Sequence, residues 1–417
     1  MHRYFILFSC VILALPIEIM TIFGVGIPLS DIACVMGIYF IFLTRSSADK
    51  ALIYILLVSC LLSILVNTIF INRDFSTQPF LSLAYFIRPI AVFFVGYNII
   101  RSGVDLDRFI KYFSVVFSIF IIAVFANLII YYGGVVRTDG ILNGTFFALN
   151  IFGTYGVHSL VAFYFLGFSF VLSRLFFCYS AINVLWRSIY VVVILIVLYF
   201  FIFSLSREII VGLLFFSLLI FRKYILRSRL FLKYCFAVII LIYIAYAILP
   251  LDLILSTWDT RFSVTLDSIN NGSLDDLSSG RIELYRLAIN QILSNPLFGN
   301  GFFGFQLYNI SFGQYDDLTG WSPHNYYLTV IWKMGFIAAS VYFLFFYRGL
   351  KRFYVLTKFF PKYLPIWWAL LTFLVVINQV WDAFLVPNVL SIIMFLFGAT
   401  TSILERTSRE HVINYQA

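Results

Sequence analysis

Long apolar runs, repeated about a dozen times, constrain the fold of this chain more than any other feature. Of its 417 residues 62% are apolar and 11% charged, whereas soluble domains average about 45–50% and about 25%. This composition excludes a water-soluble enzyme, a disordered chain and a nucleic-acid-binding protein, because only lipid can satisfy it. The chain is therefore predicted to be an all-α polytopic membrane protein.

The apolar runs predict twelve membrane-spanning helices. The predicted spans are 4–23, 27–43, 51–70, 81–100, 112–132, 146–172, 188–204, 209–221, 232–249, 326–347, 365–380 and 386–404. We accordingly expect spans one to nine in residues 1–249, a large loop subdomain in 250–325, spans ten to twelve in 326–404 and a cytoplasmic tail in 405–417.

The distribution of Lys and Arg predicts the orientation of these spans. With the N-terminus in the cytoplasm, twenty of the 28 basic residues fall in cytoplasmic segments. Such an excess favours a topology with both termini inside and the 250–325 loop outside. The eight exceptions are Arg73, Arg88, Arg137, Arg207, Arg261, Arg281, Arg286 and Lys333.

The long outer loop has its own helix signal. Ile282, Tyr285, Ile289 and Ile292 recur at helical spacing, and Pro296 follows the predicted helix. Between residues 250 and 324 there are eight acidic residues against three Arg. We expect a small amphipathic subdomain that lies on the outer membrane surface.

Arg207 is the first candidate for chemistry. Residues 188–221 must make two crossings and a turn, and at about 1.5 Å per residue they reach about 51 Å, short of the about 60 Å of two full crossings. Arg207 is therefore predicted to lie below the outer interface, where it needs an anion. That anion is either Glu208 or a ligand such as a phosphate, which suits the planar guanidinium.

Arg281 is the second candidate, because it falls in the first turn of the loop helix. A cation there opposes the helix dipole, so an external anion held with Ser279 and free backbone N–H groups explains its placement. Pairing with Asp275 or Asp276 is the alternative. Arg286 lies about 140° around the helix from Arg281, so a rigid helix cannot turn both arginines equally well toward one ligand.

His324 is the third candidate. Ser322 is predicted to cap span ten and Pro323 to be its first helical residue. The helix N-terminus disfavours imidazolium, so His324 is expected to be neutral and able to accept a proton. The alternative is an interfacial histidine without a catalytic role.

Arg88 and Arg137 are weaker candidates. Arg88 lies about 12 Å inside span four and either binds substrate or pairs with Glu18 or Asp31. Arg137 begins the segment before span six and is expected to line the same cavity. The pairs Asp275-Asp276 and Asp316-Asp317 are more typical of solvated loops than of a metal site, so no metal is predicted.

Taken in order, these motifs resemble the O-antigen ligase and O-antigen polymerase superfamily. The set consists of Ser206-Arg207, then Ser279-Gly280-Arg281 with Asn295-Pro296 and Gly299 to Gly301, then His324-Asn325-Tyr326 ahead of Gly335. The resemblance implies a metal-independent glycosyltransferase with a GT-C-like helical fold and no cofactor. It would act at the periplasmic face of the bacterial inner membrane on undecaprenyl-diphosphate-linked glycans.

The resemblance also implies roles for individual residues. Arg207 and Arg281 match the arginines that hold the donor diphosphate, and His324 matches the histidine near the acceptor. The further residues expected to bind diphosphate or glycan are Arg88, Arg137, Arg286, Ser279, Asn325 and Tyr326. Expected partners are the undecaprenyl-diphosphate-linked oligosaccharide and membrane lipid, with a chain-length regulator and a flippase as further candidates.

Three functions stay open from the sequence. A polymerase joins lipid-linked repeat units, whereas a ligase transfers the glycan to the lipid A core. A ligase accepts an acidic acceptor, so the acidic outer loop favours the polymerase. A lipid-linked-oligosaccharide transporter is the alternative from another class, and it is disfavoured because the charges within the spans cluster toward the outer half.

Overall fold

We analysed a computed structural model of the protein. The described residues are 2–16, 18–22, 25–44, 48–71, 77–132, 157–178, 181–203, 207–225, 281–302, 323–380 and 382–416. All statements below on structure concern these ranges.

Helices dominate the described residues. The elements of the first half are α1 (His2–Ala14), β1 (Glu18–Ile22), β2 (Val25–Pro28), α2 (Ser30–Leu43), α3 (Ala48–Val66, extended by a π-helical turn Asn67–Ile71), α4 (Gln78–Arg101), α5 (Leu106–Tyr132), α6 (Val157–Phe177) and α7 (Val184–Phe203). The second half has α8 (Arg207–Ile225), α9 (Arg281–Ser294), α10 (Tyr326–Phe359), α11 (Leu364–Thr372, followed by a π-helical turn Phe373–Ile377), α12 (Asn378–Val380) and α13 (Pro387–Gln416).

Seven of the described helices are long and apolar enough to cross a membrane, judged by length and composition. Shorter apolar helices cover 4–14, 30–43, 208–220 and 361–377. Together they coincide with eleven of the twelve predicted spans, whereas predicted span nine, 232–249, falls outside the described residues. The prediction of an all-α polytopic membrane protein is confirmed.

The first predicted span is wrong in its second half. The helix ends at Ala14, and residues 18–28 form an antiparallel hairpin in which Glu18 pairs with Pro28 and Ile22 with Val25. Pro16 explains the break, since proline lacks an N–H and its ring clashes with the preceding turn of a helix. At the other terminus, α13 continues to Gln416, so the predicted tail is helical rather than a separate segment.

Ion pairs gather at one end of the bundle. Asp49, which is 2% exposed at the start of α3, accepts hydrogen bonds from Arg348 Nε at 3.1 Å and from Arg352 Nη1. At the same end, Lys362 Nζ lies 2.8 Å from Asp107 Oδ2. All five residues come from segments that the charge pattern predicts to be cytoplasmic, and the structure brings them to the same end of the bundle. The side of the membrane on which this end lies stays a prediction.

Small residues let the central helices approach closely. A Cβ added to Gly96 in α4 would overlap the carbonyl oxygen of Phe395 in α13, and one added to Gly398 would overlap that of Phe93. Helices in lipid associate through such small residues because apolar burial alone gives them little attraction. The α4–α13 pair therefore forms the closely packed centre of the bundle.

Helix α9, which was predicted to be amphipathic, runs alongside span ten. The Tyr285 hydroxyl and the Asn325 side-chain amide both donate to the carbonyl of Gln379, at 3.0 and 2.8 Å. One and a half turns further along, Gln291 accepts a hydrogen bond from Trp332 Nε1. The first half of α9 is thus level with the start of α10, and the two helices run in the same direction.

The buried stripe of α9 also differs from the prediction. Leu284, Ala288 and Ile292 face the protein, whereas Ile282 and Ile289 are exposed. Because α9 packs along another helix, the stripe follows i, i+4 and i+8, and only Ile292 belongs to both the predicted and the observed face. The predicted stripe assumed that α9 rests on a flat surface.

The chain after α9 forms a turn, residues 295–302, that exchanges hydrogen bonds with a break in α10. Gly335 has a left-handed φ of 70° and interrupts the helix. The helical hydrogen bonds from Phe336 N to Trp332 O and from Ile337 N to Lys333 O are therefore replaced. Four bonds to the turn replace them: Phe336 N to Pro296 O (2.8 Å), Ile337 N to Leu297 O (3.4 Å), Asn300 N to Trp332 O (2.8 Å) and Phe302 N to Lys333 O (3.4 Å).

Polar side chains of α3 satisfy the rest of this turn. Asn67 Nδ2 donates to the Gly299 carbonyl at 3.1 Å, and Ser63 Oγ donates to the Phe298 carbonyl. Asn295 Nδ2 also donates to Gly299 O, at 2.5 Å. Such pairing is what non-helical backbone needs at membrane depth.

The turn lies well below the ends of the three helices that surround it. Trp332 and Gly335 are six and nine residues past the start of α10, and Ser63 is eight residues before the end of the α3 extension. On α4, Phe86 is eight residues past the start, and its ring centroid lies 5.9 Å from that of Phe302. At about 1.5 Å per residue, all three neighbours put the turn roughly 9–14 Å below the helix ends.

The first prediction concerns Gly335. Its Cβ would overlap the Leu297 carbonyl and lie 2.5 Å from Gly299 N, so Gly335→Ala should separate the turn from α10. Gly103→Ala is the matched control, since Gly103 also has positive φ but nothing within 4 Å of a Cβ. We expect the control to lose about 1–3 kcal/mol from backbone strain and Gly335→Ala distinctly more. Thermal unfolding in detergent measures both, and equal losses would contradict the clamp.

Candidate functional site

The outer end of predicted span eleven is the point where the candidate segments meet. This span leaves regular helix geometry in the π-helical turn Phe373–Ile377 and ends with the short α12. The Gln379 carbonyl at this end accepts hydrogen bonds from Tyr285 in α9 and Asn325 at the start of α10. One backbone oxygen thus joins the loop helix, span ten and span eleven.

Helix α8 begins at the same end. Gly212 in α8 packs against Thr372 and Ile377, and an added Cβ would lie 3.1 Å from the Ile377 side chain. Arg207 starts α8 five residues before Gly212, toward the outer end, just as Gln379 lies two residues beyond Ile377. Helix α8 therefore packs against the last part of span eleven, with Arg207 five residues before this contact.

The start of α10 and the first half of α9 meet at this end of span eleven, against which α8 also packs. The aligned dipole of each helix gives its N-terminus a partial positive charge, which favours a negative charge nearby. Arg207 is the first residue of α8, Arg281 is the first residue of α9, and His324 lies two residues before α10. The structure describes the backbone of the two arginines but not their side chains. Glu208, the next residue of α8, is buried.

Span ten begins differently from the prediction. Asn325, not Ser322, caps the helix: its side-chain oxygen accepts from Tyr327 N and Leu328 N, both at 3.1 Å. Pro323 lies outside the helix, which starts at Tyr326. Asparagine is as good an N-cap as serine. Its side-chain amide can also donate to the Gln379 carbonyl, whereas the shorter serine side chain has no second polar group for this bond.

His324 has a left-handed backbone, with φ of 51°. That conformation costs a residue other than glycine on the order of 1–3 kcal/mol and persists where the surroundings impose it, often at active sites. The Nδ1 atom of His324 is shielded from solvent, and the residue as a whole is partly exposed. The imidazole is therefore held in a fixed place beside the N-terminus of α10.

A buried polar cluster lies beneath His324. Thr329, one turn below Asn325, donates to Asp382 Oδ1 at 2.9 Å. One turn further, Lys333 is 4% exposed, interacts electrostatically with Asp382, and its Nζ lies 4.1 Å from the centroid of the Trp332 ring. The cluster ties span ten to the segment between spans eleven and twelve, and it balances a cation with a carboxylate in a low-dielectric setting.

Arg88 is placed elsewhere. Its Nη1 lies 2.5 Å from Asp31 Oδ2 in α2, which is one of the two ion pairs that the sequence left open. Phe86, two residues earlier and so on the opposite side of α4, faces Phe302 and Tyr342. Arg88 therefore points away from span ten, and the described contacts do not bring it to His324.

The remaining predicted residues divide into three groups. Arg286 is exposed on α9. Tyr326 is fully buried and donates to the Tyr342 hydroxyl at 3.0 Å, so it packs span ten instead of lining an open surface. Arg137, Ser279 and the acidic pairs at 275–276 and 316–317 lie outside the described residues.

Several residues at the site were not predicted. Lys333 and Asp382 carried a usable signal, since isolated charges beside apolar runs are functional candidates by default. Asn67 and Ser63 carried a weaker one as polar residues in span three. Gln379 carried none, because it takes part through its backbone carbonyl.

The second prediction separates the two roles of Asn325. Asn325→Ala removes both the cap and the donor to Gln379, so it should lose about 1 kcal/mol of stability and also activity. Asn325→Asp keeps an oxygen for Tyr327 N and Leu328 N but places a carboxylate against the Gln379 carbonyl. It should keep its thermal midpoint and still lose activity, by roughly tenfold or more, because the site geometry shifts. An active Asn325→Asp variant would contradict a role for the link to Gln379.

Comparison with known proteins gives one result. Residues 191–343 match the family model described as O-antigen ligase. No curated protein matches the chain at a significant level. The matched segment contains Arg207, Arg281 and His324 but neither Arg88 nor Arg137, which agrees with the different surroundings of Arg88. The resemblance found in the motifs is thus confirmed over residues 191–343, which are similar to the O-antigen ligase family.

Proposed function

We propose that this protein is an O-antigen polymerase, or a polymerase of a related surface polysaccharide. In this proposal it transfers a growing glycan from one undecaprenyl diphosphate to a second lipid-linked repeat unit, at the periplasmic face of the inner membrane. Similarity of residues 191–343 to the O-antigen ligase family supports the class of reaction, polymerase or ligase. The choice of polymerase, the donor lipid and the location are our inference.

The observation that carries the proposal is the meeting of α9 and the start of α10 at the Gln379 carbonyl, beside the contact of α8 with span eleven. A diphosphate leaving group needs positive charge that is in place before the bond breaks. Helix N-termini supply it from the backbone, and Arg207 and Arg281 start two of these helices. Preorganised charge of this kind is commonly the largest contribution to catalysis.

The proposed step is a single displacement. A hydroxyl oxygen of the acceptor sugar attacks the anomeric carbon of the donor glycan, and the bond from that carbon to the diphosphate oxygen breaks. The electron pair leaves with undecaprenyl diphosphate, which Arg207 and Arg281 neutralise. His324 accepts the hydroxyl proton through its imidazole. Because the arginines balance the developing charge, the proposal is metal-independent.

The identity of the acceptor separates polymerase from ligase. A ligase must bring a phosphorylated lipid A core to the site, whereas the outer loop carries eight acidic residues against three Arg between residues 250 and 324. Like charges repel at short range, so this surface favours a neutral or weakly charged repeat unit. The family description alone gives no preference, since the superfamily includes both activities.

Lipopolysaccharide from a deletion strain tests the proposal directly. Loss of a polymerase leaves a single repeat unit on the core, whereas loss of a ligase leaves bare core and accumulated lipid-linked polymer. Gel electrophoresis of the lipopolysaccharide distinguishes these patterns, and the bare-core pattern would overturn the polymerase in favour of the ligase. An unchanged gel would reject both.

The third prediction concerns the arginines. Arg207→Ala and Arg281→Ala should lower turnover by roughly 10²–10³-fold with normal protein levels. Arg207→Lys should also fail, since lysine lacks the planar fork that holds two phosphate oxygens. Arg101→Ala, an exposed arginine at the other end of α4, is the control and should keep full activity.

The contrary outcome is specific. If Arg207→Ala kept normal polymer and Glu208→Ala lost the fold, Arg207 would be a partner of Glu208 and nothing more.

With purified protein and lipid-linked repeat units, EDTA should change the rate little. A loss that magnesium or manganese restores would contradict the metal-independent mechanism.

The fourth prediction uses the backbone of His324. His324→Ala and His324→Gly should both lose roughly 10²–10⁴ in turnover, because neither has a base. His324→Gly should be the more stable of the two, by about 1 kcal/mol, since glycine tolerates positive φ. In the wild type, activity should fall in acid as the imidazole becomes protonated. A fully active His324→Ala would make this histidine an interfacial residue only.

A further inference from the structure

The first turn of α10 is bonded on two sides to span eleven and to the segment that follows it, directly after His324. We infer that Tyr327 and Thr329 are positioning residues for His324, which hold the start of α10 where the imidazole meets the acceptor hydroxyl. The inference deepens the proposed function and rests on the role that this function gives to His324. Neither side chain takes part in the proposed chemistry itself.

Thr329 is buried, and its hydroxyl reaches out of its own helix. It donates to Asp382 Oδ1 at 2.9 Å, whereas Thr357 in the same helix donates to the carbonyl of Tyr354, three residues earlier. The second arrangement is the usual one for a threonine inside a helix, because a carbonyl of the preceding turn lies within reach. A hydroxyl that instead joins two segments of the chain fixes the distance between them.

The acceptor of this bond is itself held in place. Asp382 lies in the segment 378–384, which the Asn378 side chain closes by accepting a hydrogen bond from Phe384 N at 3.2 Å. Gln379, whose carbonyl accepts from the cap of α10, belongs to the same segment. The segment therefore offers two fixed acceptors against which the start of α10 is aligned.

Tyr327 bonds to a carbonyl of the π-helical turn in span eleven. Asn378 N donates to Phe373 O, five residues back, where a regular α-helix would have it donate to Leu374 O, four residues back. The Tyr327 hydroxyl donates to that Leu374 carbonyl at 2.6 Å. Turns of this kind occur frequently at functional sites. The widened turn thus presents a backbone acceptor to α10.

The two bonds restrain α10 from opposite directions. Tyr327 and Thr329 are two residues apart, so their side chains leave the helix about 160° apart around its axis. With the bond from the Asn325 cap, they fix both the rotation and the height of the first turn. His324 directly precedes this cap, and its φ of 51° is a conformation that persists where the surroundings impose it. A small rotation of the turn therefore moves the imidazole.

Nearly isosteric variants of the full chain test this inference, with purified protein and lipid-linked repeat units. Thr329→Val removes the hydroxyl and keeps the shape, and Thr329→Ser restores the hydroxyl. We expect Thr329→Val and Tyr327→Phe each to lower kcat by roughly tenfold with the KM of the donor unchanged, because a displaced imidazole loses its alignment with the acceptor hydroxyl. Thr329→Ser should keep nearly full activity.

Two variants further along the same helix are matched controls. Tyr342→Phe removes a buried hydroxyl that accepts a hydrogen bond from Tyr326, and Thr357→Val removes the bond to Tyr354. Each control loses the same chemical group as its test variant. We expect kcat to stay unchanged in both once it is corrected for the amount of folded protein.

Combination with His324→Ala separates positioning from a general structural role. Residues that act through one group have non-additive effects. In the His324→Ala background, Thr329→Val should therefore leave the residual rate unchanged, whereas a merely structural role would lower it by the same factor again. If Thr329→Val does not fold, Tyr327→Phe in the His324→Ala background gives the same comparison.

Each contrary result has a distinct meaning. A further loss in the double variant, or a Thr329→Val variant as active as its controls, would overturn the inference and leave the proposed function intact. A fully active His324→Ala variant would instead contradict the role of the histidine in the proposed function, and the inference would fall with it.

Discussion

The site of this protein depends on the high free-energy cost of unpaired backbone N–H and carbonyl groups in lipid. Within a bilayer, an N–H or carbonyl without a partner costs several kcal/mol, so a helix breaks there only if something else pairs the freed groups. At Gly335 span ten breaks, and the turn at residues 295–302 takes over two carbonyls and two N–H groups. The turn depends on span ten in the same way, because its own backbone groups have no helical partners. Neither element is stable at this depth without the other.

This exchange has consequences for the position of α9. A helix followed by a turn that is fixed below the surface cannot rest on the membrane, so α9 must stand beside span ten. Its first residue, Arg281, is thereby brought up to the end where His324 and the start of α8 lie. In the proposed function, this packing of α9 against span ten holds positive charge in place for a charged leaving group. The small residues Gly299, Gly301 and Gly335 belong to this function because they allow the close approach.

Charges inside the bundle fall into two kinds. Asp49 with Arg348 and Arg352, and Asp31 with Arg88, are ion pairs between helices, and they fix the packing of α2, α3, α4 and α10. Lys333 and Asp382 are instead directly below His324 and join spans that carry the site. In the sequence Asp31, Arg88, Lys333 and Asp382 are all single charges in apolar surroundings. Their different roles follow only from which neighbours they meet.

The sequence by itself determined the membrane class and eleven helices that the structure describes, and it supplied Arg207, Arg281 and His324 as the candidates on which the proposed function rests. Hydropathy fixes these because lipid demands long apolar segments and leaves few charged residues to choose from. Predictions from local sequence rules for helix caps and buried faces were wrong where the tertiary surroundings differed from those assumed. Asn325 caps span ten in place of Ser322, and α9 buries Leu284 rather than Ile282. Only the tertiary structure decided that the loop helix packs along span ten and that Arg88 turns toward Asp31. These features depend on hydrogen bonds between residues far apart in the chain, 57 positions for Arg88 with Asp31 and 232 for Asn67 with Gly299, which no local pattern encodes.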